Sequence, residues 1–153
     1  MAGNTPTPDF PLPRDMDFED FLGDVQDKAQ LDSREAALTV TRCTLTSLSA
    51  RIQPGEANDL AAQLPEEIGR FLTETDGVES FSFEEFVDRV AECGGYGENE
   101  VADAVFGAQV VMDVLGDATT DGEFEDVRSQ LPEDEFDELF EITEQEESVS
   151  PSE

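Results

Sequence analysis

The 153-residue chain contains no histidine and no tryptophan, and Lys28 is its single lysine. Without histidine there is no Ser-His or Cys-His catalysis, no imidazole metal ligand and no general base of the commonest kind. The sequence also lacks the GxSxG, GxGxxG and GxxxxGK patterns of nucleophile-elbow hydrolases and nucleotide-binding loops. We therefore expect the protein not to be an enzyme, and we assign it no catalytic, cofactor-binding or metal-binding residue and no cofactor.

Positive charge is scarce, with 8 basic residues against 39 acidic residues and a formal net charge of −31. Because nucleic-acid binding requires a basic surface, we expect no nucleic-acid partner. Repulsion between carboxylates favours an expanded chain in dilute buffer, whereas molar salt, with a Debye length of about 3 Å, removes most of that repulsion. We interpret the acidity as adaptation to a salt-accumulating (halophilic) cell. Acidic mimicry of nucleic acid toward a basic partner is the alternative.

Long apolar runs are also missing. No stretch approaches the roughly 18 apolar residues of a membrane span, and Met1 to Pro13 carries neither a basic residue nor an apolar h-region.

Cys43 and Cys93 lack CxxC spacing, which indicates neither a zinc site nor a disulfide framework. We expect two reduced thiols, with Cys43 a small helix-packing residue, because no base or cation pair is evident beside it. These features predict a cytoplasmic protein that does not contact membranes.

The two ends of the chain differ from its middle. Four prolines within the first 13 residues interrupt helix and strand hydrogen bonding, so residues 1–15 are predicted to be a flexible leader. Residues 141–153 hold five glutamates and no basic residue, which is typical of a disordered, solvated tail. We expect residues 16–140 to form a single helical domain.

The middle of the chain contains an internal repeat. Three pairs of matching segments define it: Phe18–Phe21 with Phe83–Phe86, Gly55-Glu56 with Gly122-Glu123, and Gln63–Glu67 with Gln130–Asp134. The offset is 65 residues for the first pair and 67 for the others, so the second copy has two additional residues. We expect these in the glycine-rich segment Gly94–Gly97. Repeat one is placed at residues 16–72 and repeat two at residues 81–140.

Each repeat is predicted to be helical throughout, because apolar residues recur at helical spacing and no window alternates as a strand does. In repeat one, the apolar stripe of the first helix is Phe18, Phe21, Leu22, Val25 and Ala29, and that of the second helix is Leu38, Thr41, Leu45, Leu48 and Ile52. In repeat two, the corresponding stripes are Phe83, Phe86, Val87 and Val90, and Val105, Ala108, Met112 and Leu115. A unit of about 60 residues buries too little surface to be stable alone. We therefore predict an all-α fold, a pseudo-symmetric bundle of two tandem repeats with about four helices each, packed through their phenylalanine-rich first helices.

Two segments carry a resemblance to a known family. Residues 17–21 read Asp-Phe-Glu-Asp-Phe, and residues 55–67 read Gly-Glu-Ala-Asn-Asp-Leu-Ala-Ala-Gln-Leu-Pro-Glu-Glu. This pattern resembles the DUF2267 family over residues 16–140. Residues 122–134 keep the frame of the second segment but differ in having Phe124, Glu125 and Arg128. The resemblance implies a small helical domain of bacteria and haloarchaea, and it carries over no activity, ligand or catalytic residue.

The nearest approach to a metal motif is Asp117–Phe124. Asp117, Thr119 and Asp121 fall at the first, third and fifth positions of an EF-hand pattern. Arg128 stands at position 12, where calcium requires a bidentate glutamate. We therefore expect Asp121 to act as the N-cap of a short helix instead.

The best-preserved matching segments are Gln63-Leu64-Pro65 and Gln130-Leu131-Pro132. A structural role explains them. The leucine enters the core and the proline starts the next helix. The glutamine hydrogen-bonds a backbone group that lacks a helical partner at the break between the two helices.

A helical fold with regular apolar stripes, and without a group of residues able to perform catalysis, favours a non-enzymatic protein-interaction module. Its partner would be another protein or a second copy of this chain, and an exposed apolar patch of several hundred Å² would support the hypothesis. The alternative is a small-ligand or divalent-cation-binding protein that uses carboxylates between the repeats. That alternative requires a concave site with convergent acids.

Overall fold

Helices make up all the regular structure in the part of the chain that the computed structural model describes, residues 17–73, 79, 81–131 and 136–140. The α-helices are α1 (Phe18–Ala29), α2 (Arg34–Ser49), α3 (Pro54–Ala61), α4 (Glu66–Thr73), α5 (Phe83–Gly94), α6 (Val101–Ala118) and α7 (Asp121–Ser129). Two short 3-10 helices lie at Glu98–Glu100 and Asp137–Phe140. The all-α prediction is confirmed over these residues. The predicted leader, 1–15, and the predicted tail, 141–153, lie outside them.

Local capping explains where α1 and α5 begin and end. Asp17 and Ser82 each accept a hydrogen bond from the backbone N–H three residues later, at 2.9 and 3.2 Å, which satisfies a free donor of the first turn. Both helices end at a residue in the left-handed conformation, Gln30 (φ 58°) and Gly95 (φ 74°). Glycine adopts this conformation without a steric penalty, whereas glutamine does so at a cost.

The linkers after these two helices differ in length. Residues 30–33 join α1 to α2, and residues 95–100 join α5 to α6. The second linker is longer by two residues. It contains the 3-10 helix Glu98–Glu100.

The centre of the bundle is formed by α2 and α6. Helix α1 packs against both of them, and so does α5, while α4 packs on α2 and on α3. The prediction that the first helices pack on each other is wrong, because α1 lies on α6 and α5 lies on α2. Helix α6 buries side chains around most of its circumference and needs neighbours on several sides, whereas α1 and α5 each carry one apolar stripe. None of the helices within the described ranges has both the length and the apolar character needed to cross a bilayer.

The predicted apolar stripes form the core. Most of their residues are buried, and Phe18, Leu38 and Phe83 are partly buried against them. Phe136 meets the rings of Phe83 and Phe86 edge-on, at centroid distances of 5.6 and 5.8 Å. These contacts anchor the last described segment of the chain on α5, through rings that pack favourably in this geometry.

Cys43 and Cys93 form a disulfide with Cα atoms 5.6 Å apart, so the prediction of two reduced thiols is wrong. Their separation of 50 residues conceals this proximity, because α2, which carries Cys43, packs directly against α5, which carries Cys93. The bond links helices from the two halves of the chain. It also removes one argument for a cytoplasmic location, since disulfides are rare in reducing compartments.

Candidate functional site between helices α3 and α7

Helices α3 and α7 lie against each other. Pro54 occupies the first position of α3, where its missing N–H costs nothing. Thr120 caps α7, because its side-chain oxygen accepts a hydrogen bond from the backbone N–H of Glu123 at 3.3 Å. Glu56 and Glu123 consequently occupy the same place, the third helical position, in their respective helices.

Gln63 and Gln130 tie the two helix starts together. Gln63 Oε1 accepts a hydrogen bond from the backbone N–H of Thr120, and Gln130 Oε1 accepts one from the backbone N–H of Gln53, both at 2.8 Å. Each glutamine follows one of the two helices and caps the start of the other. The prediction that each glutamine hydrogen-bonds a backbone group at a helix end is correct, but this group belongs to the opposite half of the chain and not to the break beside the glutamine.

These glutamines change what the two glutamates can do. A glutamate at the third helical position commonly turns back to accept a hydrogen bond from the N-cap N–H, which completes a capping box. At both α3 and α7 that N–H already donates to a glutamine. Glu56 and Glu123 are therefore released from capping, and their side chains approach each other between the helices.

Glu56, Asp59 and Glu123, which we call the carboxylate cluster, converge in this space. One carboxylate oxygen of each residue lies within 4.8 Å of the other two. The Oε1 atom of Glu56 and the Oε2 atom of Glu123 are shielded from solvent and, when both groups are ionised, have no hydrogen-bond donor among the described residues. Asp59 is exposed, so the cluster opens to solvent on its side.

The surroundings raise the pKa of Glu123. Burial of its carboxyl is the largest cause, followed by the negative charges of Glu56 and Asp59, a hydrogen bond with Glu56 and the charge of Asp126. Each of these disfavours the ionised form. The site therefore gains from positive charge, which either a proton shared between the two glutamates or a bound cation supplies.

The EF-hand-like segment does not form a loop. Asp117 lies inside α6, with a carboxylate oxygen 3.6 Å from Nζ of Lys28, and Thr119 bonds back to the carbonyl of Leu115. Thr120 is the N-cap of α7 and Asp121 is its first residue, so the prediction of Asp121 as the N-cap is wrong by one position. Because α6 continues to Ala118, only two residues remain to connect the helices.

No metal ligand was predicted from the sequence, and the carboxylate cluster was not expected. Among 39 acidic residues no pair stands out by spacing. The matching segments Gly55-Glu56 and Gly122-Glu123 contained a signal, because Glu56 and Glu123 occupy the same place in them. Only the packing of α3 on α7 reveals that these equivalent residues meet.

Comparison with known proteins places the chain in a family. A search of curated proteins finds no match. The family model described as "Uncharacterized conserved protein (DUF2267)" matches residues 18–139, which include all of α1 to α7. By the extent of this match, the chain belongs to the DUF2267 family.

Proposed function

We propose that the protein binds a divalent cation at the carboxylate cluster, and that it acts by binding rather than by catalysis. One observation carries the proposal: three carboxylate oxygens from α3 and α7 lie within 4.8 Å of one another. Calcium takes oxygen ligands at about 2.3–2.6 Å, so oxygens on opposite sides of one ion are about 5 Å apart. An ion between the helices is therefore within reach of all three carboxylates.

The charge balance of the cluster favours a divalent ion. Its three carboxylates contribute three negative charges when ionised, and each adjoining helix N-terminus contributes about half a positive charge. The sum is about −2, the opposite of the charge on Ca²⁺ or Mg²⁺. An ion would also satisfy the shielded oxygens of Glu56 and Glu123, which lack a donor within the described ranges when both groups are ionised.

We also propose that the two halves of the chain are tandem repeats related by pseudo-symmetry. Exchanged contacts support this relation: α1 packs on α6 as α5 packs on α2, and Gln63 caps α7 as Gln130 caps α3. In this arrangement the equivalent glutamates meet where the repeats join. A single repeat would not provide the complete cation site.

Thermal unfolding tests the proposed site. The full chain is freed of divalent ions in about 2 M KCl, which screens its net charge, and is then given about 1 mM CaCl₂ or MgCl₂. We expect a divalent chloride to raise Tm by more than the same ionic strength of added KCl. Glu56→Gln and Glu123→Gln should abolish that increment. Glu84→Gln, which neutralises an exposed carboxylate on α5, should retain it.

Two results would contradict the cation site. One is an equal rise in Tm with every chloride at matched ionic strength, since this reports general screening. The other is a divalent-specific rise that persists in Glu123→Gln, because the ion would then bind elsewhere.

A protein-interaction module is the second candidate, and the surface near the start of α6 favours it. Val101 and Phe106 are 39% and 42% exposed, and they are the large hydrophobic side chains exposed on the described surface. Phe106 borders a groove of about 250 Å³ together with Leu31, Tyr96 and Gly107. Two partly exposed side chains do not make the extended apolar patch that the hypothesis called for. We therefore place this function second.

Affinity capture tests the second candidate. The tagged chain, in lysate of its own cells at about 2 M KCl, should retain a stoichiometric protein partner through apolar contacts that salt does not weaken. Phe106→Ser should lose that partner, whereas Glu84→Gln should keep it. Equal capture by both variants would show that the groove is not the binding surface.

A further inference from the structure

The two sulfur atoms of the Cys43–Cys93 disulfide have different surroundings. Cys43 is fully buried in α2, whereas Cys93 is exposed in the last turn of α5. A Cβ atom placed on Gly94 would lie 2.7 Å from the ring of Tyr96 and 3.9 Å from Sγ of Cys43. Gly94 therefore lies close to Cys43, and because Cys43 is 0% exposed, a small thiol can reach the bond only from the Cys93 side.

A cation lies beside the exposed sulfur. Nη1 of Arg42 is 3.8 Å from Sγ of Cys93. Arg34 and Arg89 pair with glutamates, as expected in so acidic a chain, but the contact of Arg42 is with sulfur. A neighbouring cation stabilises a thiolate, and here it opposes the negative end of α5 and the adjacent carboxylate of Glu92.

We propose that Cys93 is a site of reversible modification by low-molecular-weight thiols through thiol–disulfide exchange. An external thiolate forms a new S–S bond with Sγ of Cys93, and the bond between Cys93 and Cys43 breaks. The electron pair of the broken bond goes to Sγ of Cys43, which takes a proton from water. The product is a mixed disulfide at Cys93 and a buried thiol at Cys43.

A second thiolate completes the reaction in the same direction. It attacks the external sulfur of the mixed disulfide, and Cys93 leaves as a thiolate beside Arg42. In sum, one protein disulfide is reduced to two thiols and two small thiols are oxidised to one small disulfide. The reverse sequence restores the bond between α2 and α5.

Mapping the first adduct tests the direction of attack. The oxidised full chain is treated with reduced glutathione in high salt, quenched with acid and alkylated. Trypsin then separates the two cysteines, since it cleaves after Arg42, Arg51, Arg89 and Arg128. We expect at least tenfold more glutathione on the Cys93 peptide than on the Cys43 peptide. Equal labelling, preference for Cys43 or no adduct at either cysteine would overturn the proposal.

Variants test the role of Arg42. In Cys43→Ser, Cys93 is a single free thiol whose reaction rate with iodoacetamide, a neutral probe, reports its thiolate fraction. Adding Arg42→Gln should slow this reaction several-fold, and adding Arg70→Gln, which removes an exposed arginine from α4, should not. Equal rates in the two double variants would show that Arg42 does not activate Cys93. In Cys93→Ser, the buried Cys43 should react slowly until the protein is unfolded.

Discussion

Glu123 links the electrostatics of one residue to the stability of the protein. Its pKa is raised chiefly by burial and then by Glu56 and Asp59, so the folded state holds its proton to a higher pH than the unfolded chain does. Its contribution to stability is therefore complete below the pKa in the unfolded chain and is lost as the pH rises through the pKa in the folded protein. Once it is ionised and without a bound cation, the carboxylate destabilises the fold.

At a pH above the pKa of Glu123 in the folded protein, and in the presence of a chelator, Glu123→Gln should consequently raise Tm by a few degrees, because the amide is neutral at every pH. The difference from wild type should shrink as the pH falls and disappear below about pH 4, where the unfolded chain also protonates this group. Calorimetry of both proteins across this range measures the difference. A gap in Tm that does not depend on pH would indicate that packing, not ionisation, separates the two proteins.

Lys28 provides a second test at the scale of one side chain. Its Nζ lies 2.7 Å from Oδ2 of Asp113, whose side chain is only 3% exposed in α6. Lys28→Met removes this ion pair from a buried carboxylate, and we expect the free energy of unfolding to fall by about 1–3 kcal/mol. Denaturant titration in high salt measures it. Arg34→Met, which breaks an exposed ion pair with Glu19, should lower the free energy of unfolding by less, because solvent screens this pair, and an equal loss would contradict this ranking.

At the scale of helices, Gln63 and Gln130, which cap the starts of α7 and α3, connect stability to the cation site. Gln63→Ala and Gln130→Ala each leave an N-cap N–H without its side-chain acceptor, so each should lower the free energy of unfolding by about 1 kcal/mol. The freed N–H of Gln53 in Gln130→Ala also becomes available to Glu56, which then turns away from the carboxylate cluster. We expect weaker divalent stabilisation in this variant. Full retention of the divalent effect would show that the glutamines do not position the glutamates.

How much of each element can be predicted from the sequence depends on the range of the interaction. The stripe Phe21, Leu22 and Val25 follows from helical periodicity and was predicted. That Gln63 hydrogen-bonds a backbone group was predicted as well, but its partner, the N–H of Thr120 57 residues away, was not predicted. The disulfide and the carboxylate cluster were not predicted, because each joins residues of different helices whose contact depends on packing. Matching sequence segments place Glu56 and Glu123 at the same position, but the contact of α3 with α7 is part of the tertiary structure and has no local signal.

At the scale of the whole molecule, a covalent bond opposes the repulsion of a large net charge. The Cys43–Cys93 bond closes a loop of 50 residues, which in the chain-entropy description stabilises the folded state by about 4 kcal/mol. The formal charge of −31 acts in the other direction, since every contraction of the chain brings carboxylates together. Salt and the disulfide therefore support the same compact state by different means.

This opposition predicts how the fold responds to salt. When KCl is lowered from about 2 M to about 0.1 M, the Debye length rises from about 3 Å or less to about 10 Å, and repulsion extends between neighbouring helices. Far-ultraviolet circular dichroism should show a marked loss of helix. The Cys43→Ser/Cys93→Ser variant should lose helix at a higher KCl concentration than the oxidised wild type, because its unfolded chain is free to expand further. Equal spectra of the wild type at both salt concentrations would mean that the buried core alone outweighs the repulsion, and coincident salt midpoints would mean that the disulfide does not restrain the expanded state.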